Sequence, residues 1–373
     1  MRKIVVSLFL VGIIATSAFF TGCPRRDAGG GARAAATMPT VVLLTDGSGI
    51  DDRSFNAAAW TGILEFYGDT WINQRQRGRY YETVTAVTMD MYIPNLRQAA
   101  DDGWDLITAT GFTWADALGT VAGQNPNQNF LIVDVDWVGH PNVMQATFSE
   151  HEGSFLVGVA AALRAQADGI VDPIFGFIGG VPGPVITRFH VGYVQGVLHI
   201  LPNARFVDYY ANNWGRPDLA MTQSRHWYDQ GVFIIYSAAG ATGNGTIATA
   251  RELRSQGRNV WAIGVDSDQH DEGIYAGTSS AVLTSMLKQV EASLLHALRA
   301  LQNNTFTGEH ITFGLAANGV GFSTTNPAMT PEIIRRTNEI REDIIAGRIR
   351  VAATHAEARR LPGFPQDLRA LDN

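Results

Sequence analysis

Cysteine is nearly absent: Cys23 is the only one in 373 residues. No disulfide can close within one chain, so the fold must rest on its core. Basic charge is also scarce. Formal net charge is −7, and removing the first 22 residues, which carry Arg2 and Lys3 and no acid, leaves −9. A general nucleic-acid binder presents a basic surface, and this balance argues against that class. Catalytic signatures are missing as well. No GK[ST] closes a phosphate loop, the nine histidines show no HExxH, and Gly153-Ser154-Phe155 is not a G-x-S-x-G elbow. The sequence offers no good set of base, nucleophile or metal, so an enzyme is not expected.

What is present begins with an export signal. Residues 1–22 have a basic start, an apolar run over 4–20, and Thr21-Gly22 before Cys23. This reads as a signal peptide. Phe20-Thr21-Gly22-Cys23 resembles a bacterial lipobox, with Phe where Leu is usual. The lone cysteine falling at the cleavage position predicts that Cys23 becomes a lipidated N-terminus. Residues 23–39 are rich in Gly and Ala and read as a flexible tether. The mature domain is therefore expected on a bacterial membrane, facing the periplasm or exterior.

The stretch 41–60 organises the rest of the chain. Val41-Val42-Leu43-Leu44 is a short uncharged run, as in a strand buried on both faces. Gly47-Ser48-Gly49 ends it, and Asp51, Asp52 and Ser54 offer caps to a helix. Trp60, Ile63, Leu64 and Tyr67 lie on one face of that helix. Ligands in open α/β sheets sit beyond the carboxyl ends of strands, where Asp46, Ser48, Ser54, Phe55 and Asn56 stand.

Strands and helices alternate to residue 150, then restart. Ser149 and Glu152 have capping-box spacing at that restart. The pattern predicts two α/β lobes of similar size with a hinged cleft between strand ends. Lobe 1 is expected to be 40–150 with about 267–308, lobe 2 to be 151–266 with about 309–350, and 351–373 a peripheral tail. The stretch 71–81 reads as an insert.

Metal sites are poorly supported. Residues 46–51 fail as a calcium loop, because Ile50 stands at a ligand position and no Glu closes it. Asp266, Asp268, His270, Asp271 and Glu272 share a loop without evident convergence. Asp266, at a strand end, is better suited to a sugar diol, which its two oxygens can bind. Lys288, alone in an apolar stretch, is read as its partner. The turn from Gly240 to Gly245 suits a ligand wall rather than a phosphate cradle.

Several motifs together resemble one family. Asp46-Gly-Ser-Gly-Ile-Asp51-Asp52-Arg-Ser54-Phe55-Asn56 is similar to the opening of the basic membrane protein family, the PnrA-like nucleoside-binding lipoproteins of ABC transporters. Glu152-Gly-Ser-Phe-Leu156, Phe177-Ile-Gly-Gly180, Arg188-Phe189, Ala238-Ala-Gly240, Gly264-Val-Asp266 and Leu283 to Lys288 continue it in order. Arg53 in place of Lys and Pro182-Gly183-Pro184 depart from the pattern. The resemblance implies a type I periplasmic-binding fold and capture of a purine nucleoside without cofactor, metal or catalysis. It implies an ABC permease as partner, the membrane reached through the lipid, and no nucleic acid. Phe55, Phe189 and Phe112 would then be plates for the base. Asp46, Asn56 and Asp116 would meet the base edge, with Asp266, Lys288 and the Gly240 backbone on the ribose. The alternatives are another small ligand such as a sugar, a surface interaction protein, or, less favoured, an α/β nucleoside-processing enzyme.

Overall fold

A computed structural model describes residues 38–71 and 74–368. The expected signal peptide, Cys23 and all of the tether except Met38 and Pro39 lie outside the described residues.

The first lobe starts with β1 (Val41–Thr45), α1 (Phe55–Tyr67), the short β2 (Gln76–Arg77) and β3 (Tyr81–Thr85). It continues through α2 (Tyr92–Asp102), β4 (Leu106–Thr110), α3 (Ala115–Gln124), β5 (Phe130–Val133) and β6 (Val143–Phe148). The second comprises α4 (Glu150–Ala167), β7 (Ile174–Gly179), α5 (Pro184–Ile200), β8 (Arg205–Tyr210), α6 (Pro217–Asp229), β9 (Val232–Ala238), α7 (Asn244–Ser255) and β10 (Trp261–Asp266). A small hairpin, β11 (Ile274–Ala276) and β12 (Ser279–Ser280), leads into β13 (Val282–Lys288). Then come α8 (Val290–Gln302), β14 (His310–Phe313), β15 (Val320–Phe322), α9 (Pro331–Ile345) and α10 (His355–Ala358).

Two sheets result. The first runs β14-β6-β5-β4-β1-β3-β2 and the second β15-β13-β10-β9-β7-β8. Within these two sheets all pairings are parallel except β2 with β3 and β15 with β13, and the separate β11–β12 hairpin is antiparallel. Central strands such as β1, β4 and β9 are buried along their whole length, because helices cover both faces. Apart from the extra edge strand β2 and the reversed direction of β15, the second order repeats the first, so β5 and β10 are equivalent, as are β6 and β13. No sequence repeat announces this, since burial constrains hydrophobicity and not identity.

The lobe boundaries differ from expectation. β13 pairs with β10 in the second sheet, whereas 267–308 was expected in lobe 1. β14 pairs with β6 in the first sheet, whereas 309–350 was expected in lobe 2. The chain therefore crosses between lobes after β6, after β13 and after β14. An apolar strand reports that it is buried, but not which sheet buries it.

Helix packing is close where glycine allows it. A Cβ at Gly196 of α5 would lie 2.0 Å from the Phe155 carbonyl oxygen of α4, and one at Gly158 would lie 2.3 Å from that of Tyr193. The expected capping box does not form. Ser149 makes no side-chain cap, and Glu152 instead accepts the Leu315 N–H at 3.0 Å, tying α4 to the third crossing. The tail is less peripheral than expected: His355, Ala358, Phe364 and Leu368 are buried, the last three packing with Val191 and Val194 of α5. In the insert, Trp71 is exposed and β2 extends the sheet edge.

Candidate functional site

The carboxyl ends of β1, β4 and β5 face those of β7, β9, β10 and β13 across a cleft. It holds about 550 Å³ of space free of protein atoms, part of it open to solvent.

Its floor is a buried charge cluster. Lys288, at the end of β13 and 1% exposed, donates from Nζ to Asp134 Oδ1 at 2.6 Å and pairs with Glu150 Oε1 at 3.1 Å. Arg188 Nε donates to the other Glu150 oxygen at 2.6 Å. Burial alone would lower the Lys288 ammonium, but Asp134, Glu150 and Asp266 together outweigh it and raise its pKa. Glu150 is likewise pulled below its ordinary value, because Arg188 and Lys288 overcome its desolvation. Asp134 is pushed up to about 6, chiefly by burial, with Lys288 opposing. The ammonium lies 4.8 Å from the Phe55 ring centroid and 5.4 Å from that of Phe189, a cation–π geometry with one ring from each lobe.

Asp266 was expected to pair with Lys288. The nearest partner of Asp266 is instead Ser54 of the opposite lobe, whose hydroxyl donates to Oδ2 at 2.5 Å. The Lys288 charge still favours the Asp266 carboxylate, but burial wins and its pKa is raised.

The first lobe supplies a polar wall. Asp46 Oδ1 accepts from the Ser48 N–H at 2.9 Å and from Asn56 Nδ2 at 3.2 Å. Thr110 donates its hydroxyl to Asn56 Oδ1 at 2.5 Å, which fixes the orientation of that amide. Burial raises the Asp46 pKa. Asp52 caps α1, accepting the N–H groups of Ser54, Asn56 and Ala57, while Asp51 pairs with exposed Arg75. Burial pushes Asp52 up to about 7 against the pull of those three donors.

The second lobe supplies an aromatic lip. Trp214 meets Phe112 edge-on, centroids 6.1 Å apart at 78°. A Cβ at Gly180 would lie 2.1 Å from the Trp214 ring, so only glycine lets the indole lie there. The turn at Gly240, with φ 55°, positions Thr242, whose N–H donates to the Trp214 carbonyl at 2.7 Å and whose hydroxyl donates to that of Asn213 at 2.9 Å.

Eight expected residues line this cleft: Asp46, Phe55, Asn56, Phe112, Phe189, Gly240, Asp266 and Lys288. Asp116 does not. It is exposed in the first turn of α3, because Trp114, Ala115 and Leu118 take the buried face and turn it outward. Asp134 and Trp214 were missed. Asp134 carried the same signal as Asp46 and Asp266, an acid directly after an apolar strand. Trp214, a lone aromatic among turn-forming residues, was also visible.

Four carboxyl groups (Asp46, Asp52, Asp134, Asp266) face one lysine in the lining, which disfavours an anionic ligand. The arrangement suits a neutral molecule with a flat face and several hydroxyl or N–H groups. The acids after β10 have separate partners: Asp268 takes the Thr325 hydroxyl and Glu272 the Arg53 guanidinium. Among the described residues no three metal-ligating side chains converge, and no helix is long and apolar enough to cross a membrane.

Two parallel-sheet lobes joined by three crossings around such a cleft define the periplasmic-binding fold. A solute-binding protein from Aeropyrum pernix superposes with a TM-score of 0.73 at 24% identity, covering 86% of this chain and 96% of that one. The family model for PnrA-like ABC transporter substrate-binding proteins matches residues 39–355, and the chain belongs to that family, Bmp. It is 35% identical over 319 residues to a CD4+ T-cell-stimulating antigen of Listeria monocytogenes, covering 84% of this chain and 87% of the relative. It is 33% identical over 359 residues to the ABC transporter nucleoside-binding protein BmpA of Lactococcus lactis, covering 94% and 99%.

Proposed function

We propose that this cleft captures purine nucleosides and delivers them to an ABC permease. The observation that carries the reading is the placement of Phe55 and Phe189, one from each lobe, around Lys288 in a cleft lined by buried carboxyl groups. A nucleoside is neutral, with a flat π face for the rings and a ribose for acceptors. Asp46 and Asn56 meet the base edge. Asp266, Lys288 and the Gly240 backbone meet the ribose. The name of the Lactococcus relative supports the ligand class. Cys23 carries the lipid that holds the domain at the membrane, and the permease reads the closed lobes. No catalytic step is proposed.

Isothermal titration with guanosine, inosine and adenosine tests the reading, with ribose, arabinose and the corresponding monophosphates as controls. Nucleosides should bind and monophosphates should not. Heat with a sugar or amino acid and none with any nucleoside would overturn the ligand. Release of free base during incubation would overturn the non-catalytic part.

A further inference from the structure

Gln269 does not line the cleft, yet it touches both sides of it. It is 4% exposed on the turn after β10. Its Oε1 accepts the N–H of Val265, the residue before Asp266, at 2.9 Å. Its Nε2 donates to the Arg53 carbonyl at 3.1 Å and to Asn244 Oδ1 at 3.2 Å. Asn244 then donates from Nδ2 to the Asp52 carbonyl at 3.0 Å. Asp52 and Arg53 belong to lobe 1, while Val265, Gln269 and Asn244 belong to lobe 2.

The direction of this chain is determined. The Val265 N–H requires an oxygen, so the amide nitrogen of Gln269 must face Arg53 and Asn244, and that turns the Asn244 nitrogen toward Asp52. The Gln269 N–H donates to Ser285 Oγ at 3.0 Å. A Cβ at Gly264 would come within 2.8 Å of Gln269 Oε1 and 2.5 Å of Ser285 Oγ, so this packing demands glycine there. The chain also grips two sparsely populated backbone conformations, Arg53 at φ 57° and Asp266 at φ 65°.

We propose that Gln269 is a positioning residue for ligand capture. It holds Asp266 toward the cleft and clasps the start of α1 with the same amide. The closed lobes and the ligand-facing carboxylate thus form together, and a ligand that grips Asp266 favours closure. The inference deepens the nucleoside reading and rests on it for the ligand.

The test compares the purified full chain with Gln269→Glu, which keeps the acceptor for Val265 but sets an oxygen against the Arg53 carbonyl and Asn244 Oδ1. Guanosine dissociation and association are followed by stopped flow. Inter-lobe distance is read from labels at Gln98→Cys and His226→Cys in a Cys23→Ser background. The variant should release guanosine about 10- to 100-fold faster, the factor for disrupting buried hydrogen bonds. Association should stay within a few-fold, and the ligand-free distances should shift open. Asn244→Ala, which removes one link, should move both readouts the same way by less, and it decides the question if Gln269→Glu does not fold. Wild-type dissociation and distances in a folded variant would overturn the proposal, as would weaker binding with unchanged distances. If the wild-type chain binds no nucleoside, the ligand reading fails, and the ligand-free distances still decide whether the clasp exists.

Discussion

Asp134 and Asp266 occupy equivalent places in the two lobes, each following the buried run of its strand, and both adopt left-handed backbone, φ 70° and 65°. Lys288 sits between them, bonded to Asp134 and favouring the Asp266 charge from farther away. One aspartate therefore anchors the lysine while the other faces Ser54 and the cleft. Lys288 is the last residue of β13, and the chain crosses into lobe 1 directly after it, which brings the side chain to Asp134.

Asp266→Asn should fold normally, because Asn tolerates the left-handed region and its oxygen can still accept from Ser54. Nucleoside affinity should fall by about 10- to 100-fold through loss of a charged acceptor. Asp266→Ala should lose the same affinity and a further 1–2 kcal/mol or so of stability, since Ala at φ 65° is strained. Calorimetric titration and urea unfolding of both variants separate the two effects.

Asp134→Asn should change how stability depends on pH. The Asp134 pKa in the folded protein, about 6, lies above its ordinary value, so the native state binds the extra proton. Its contribution is full below about pH 4 and is lost as pH rises through about 6. The difference in unfolding free energy should therefore move in favour of the variant across that window and stay flat above it. Buried His190, held well below its ordinary value by desolvation, acts in the opposite direction but equally in both proteins. A constant difference from pH 4 to 7.5 would contradict the expectation.

Gly180→Ala should open the cleft mouth. The added Cβ would overlap the Trp214 ring, 2.1 Å away, at a cost of about 1–3 kcal/mol. Affinity should fall with it. Combining it with Trp214→Ala should restore stability without restoring affinity, a coupling that a double-mutant cycle measures.

Removing residues 351–373 should destabilise the second lobe and spare the cleft. Phe364 and Leu368 are each worth about 1.5–3 kcal/mol of burial, so calorimetry should show a melting point about 5–10 °C lower. No described residue of this segment lines the cleft, and nucleoside affinity should stay within a few-fold.

Much of the candidate site was legible because its signals are local. Asp46, Asp266 and the missed Asp134 each follow an apolar run, and a carboxylate at the carboxyl end of a parallel strand stands at a ligand edge whatever the rest of the chain does. Phe55 and Asn56 open a helix whose cap and apolar face lie within twenty residues of sequence. The lobe to which β13 belongs, the partner of Lys288 and the outward turn of Asp116 were not local. They depend on which of two sheets a strand joins, on contact across 154 residues for Lys288 with Asp134, or on which helix face is covered.

The sequence by itself determined the alternation of strands and helices, the polar strand ends and the near absence of cysteine, because periodicity and composition act over short range. Only the tertiary structure decided that Lys288 bonds Asp134, that Ser54 reaches Asp266, and that Trp214 closes over Gly180 against Phe112. Each of these joins segments far apart in the chain. The direction of a buried side chain is set by the neighbours that packing brings to it, and those neighbours are absent from its own stretch of sequence.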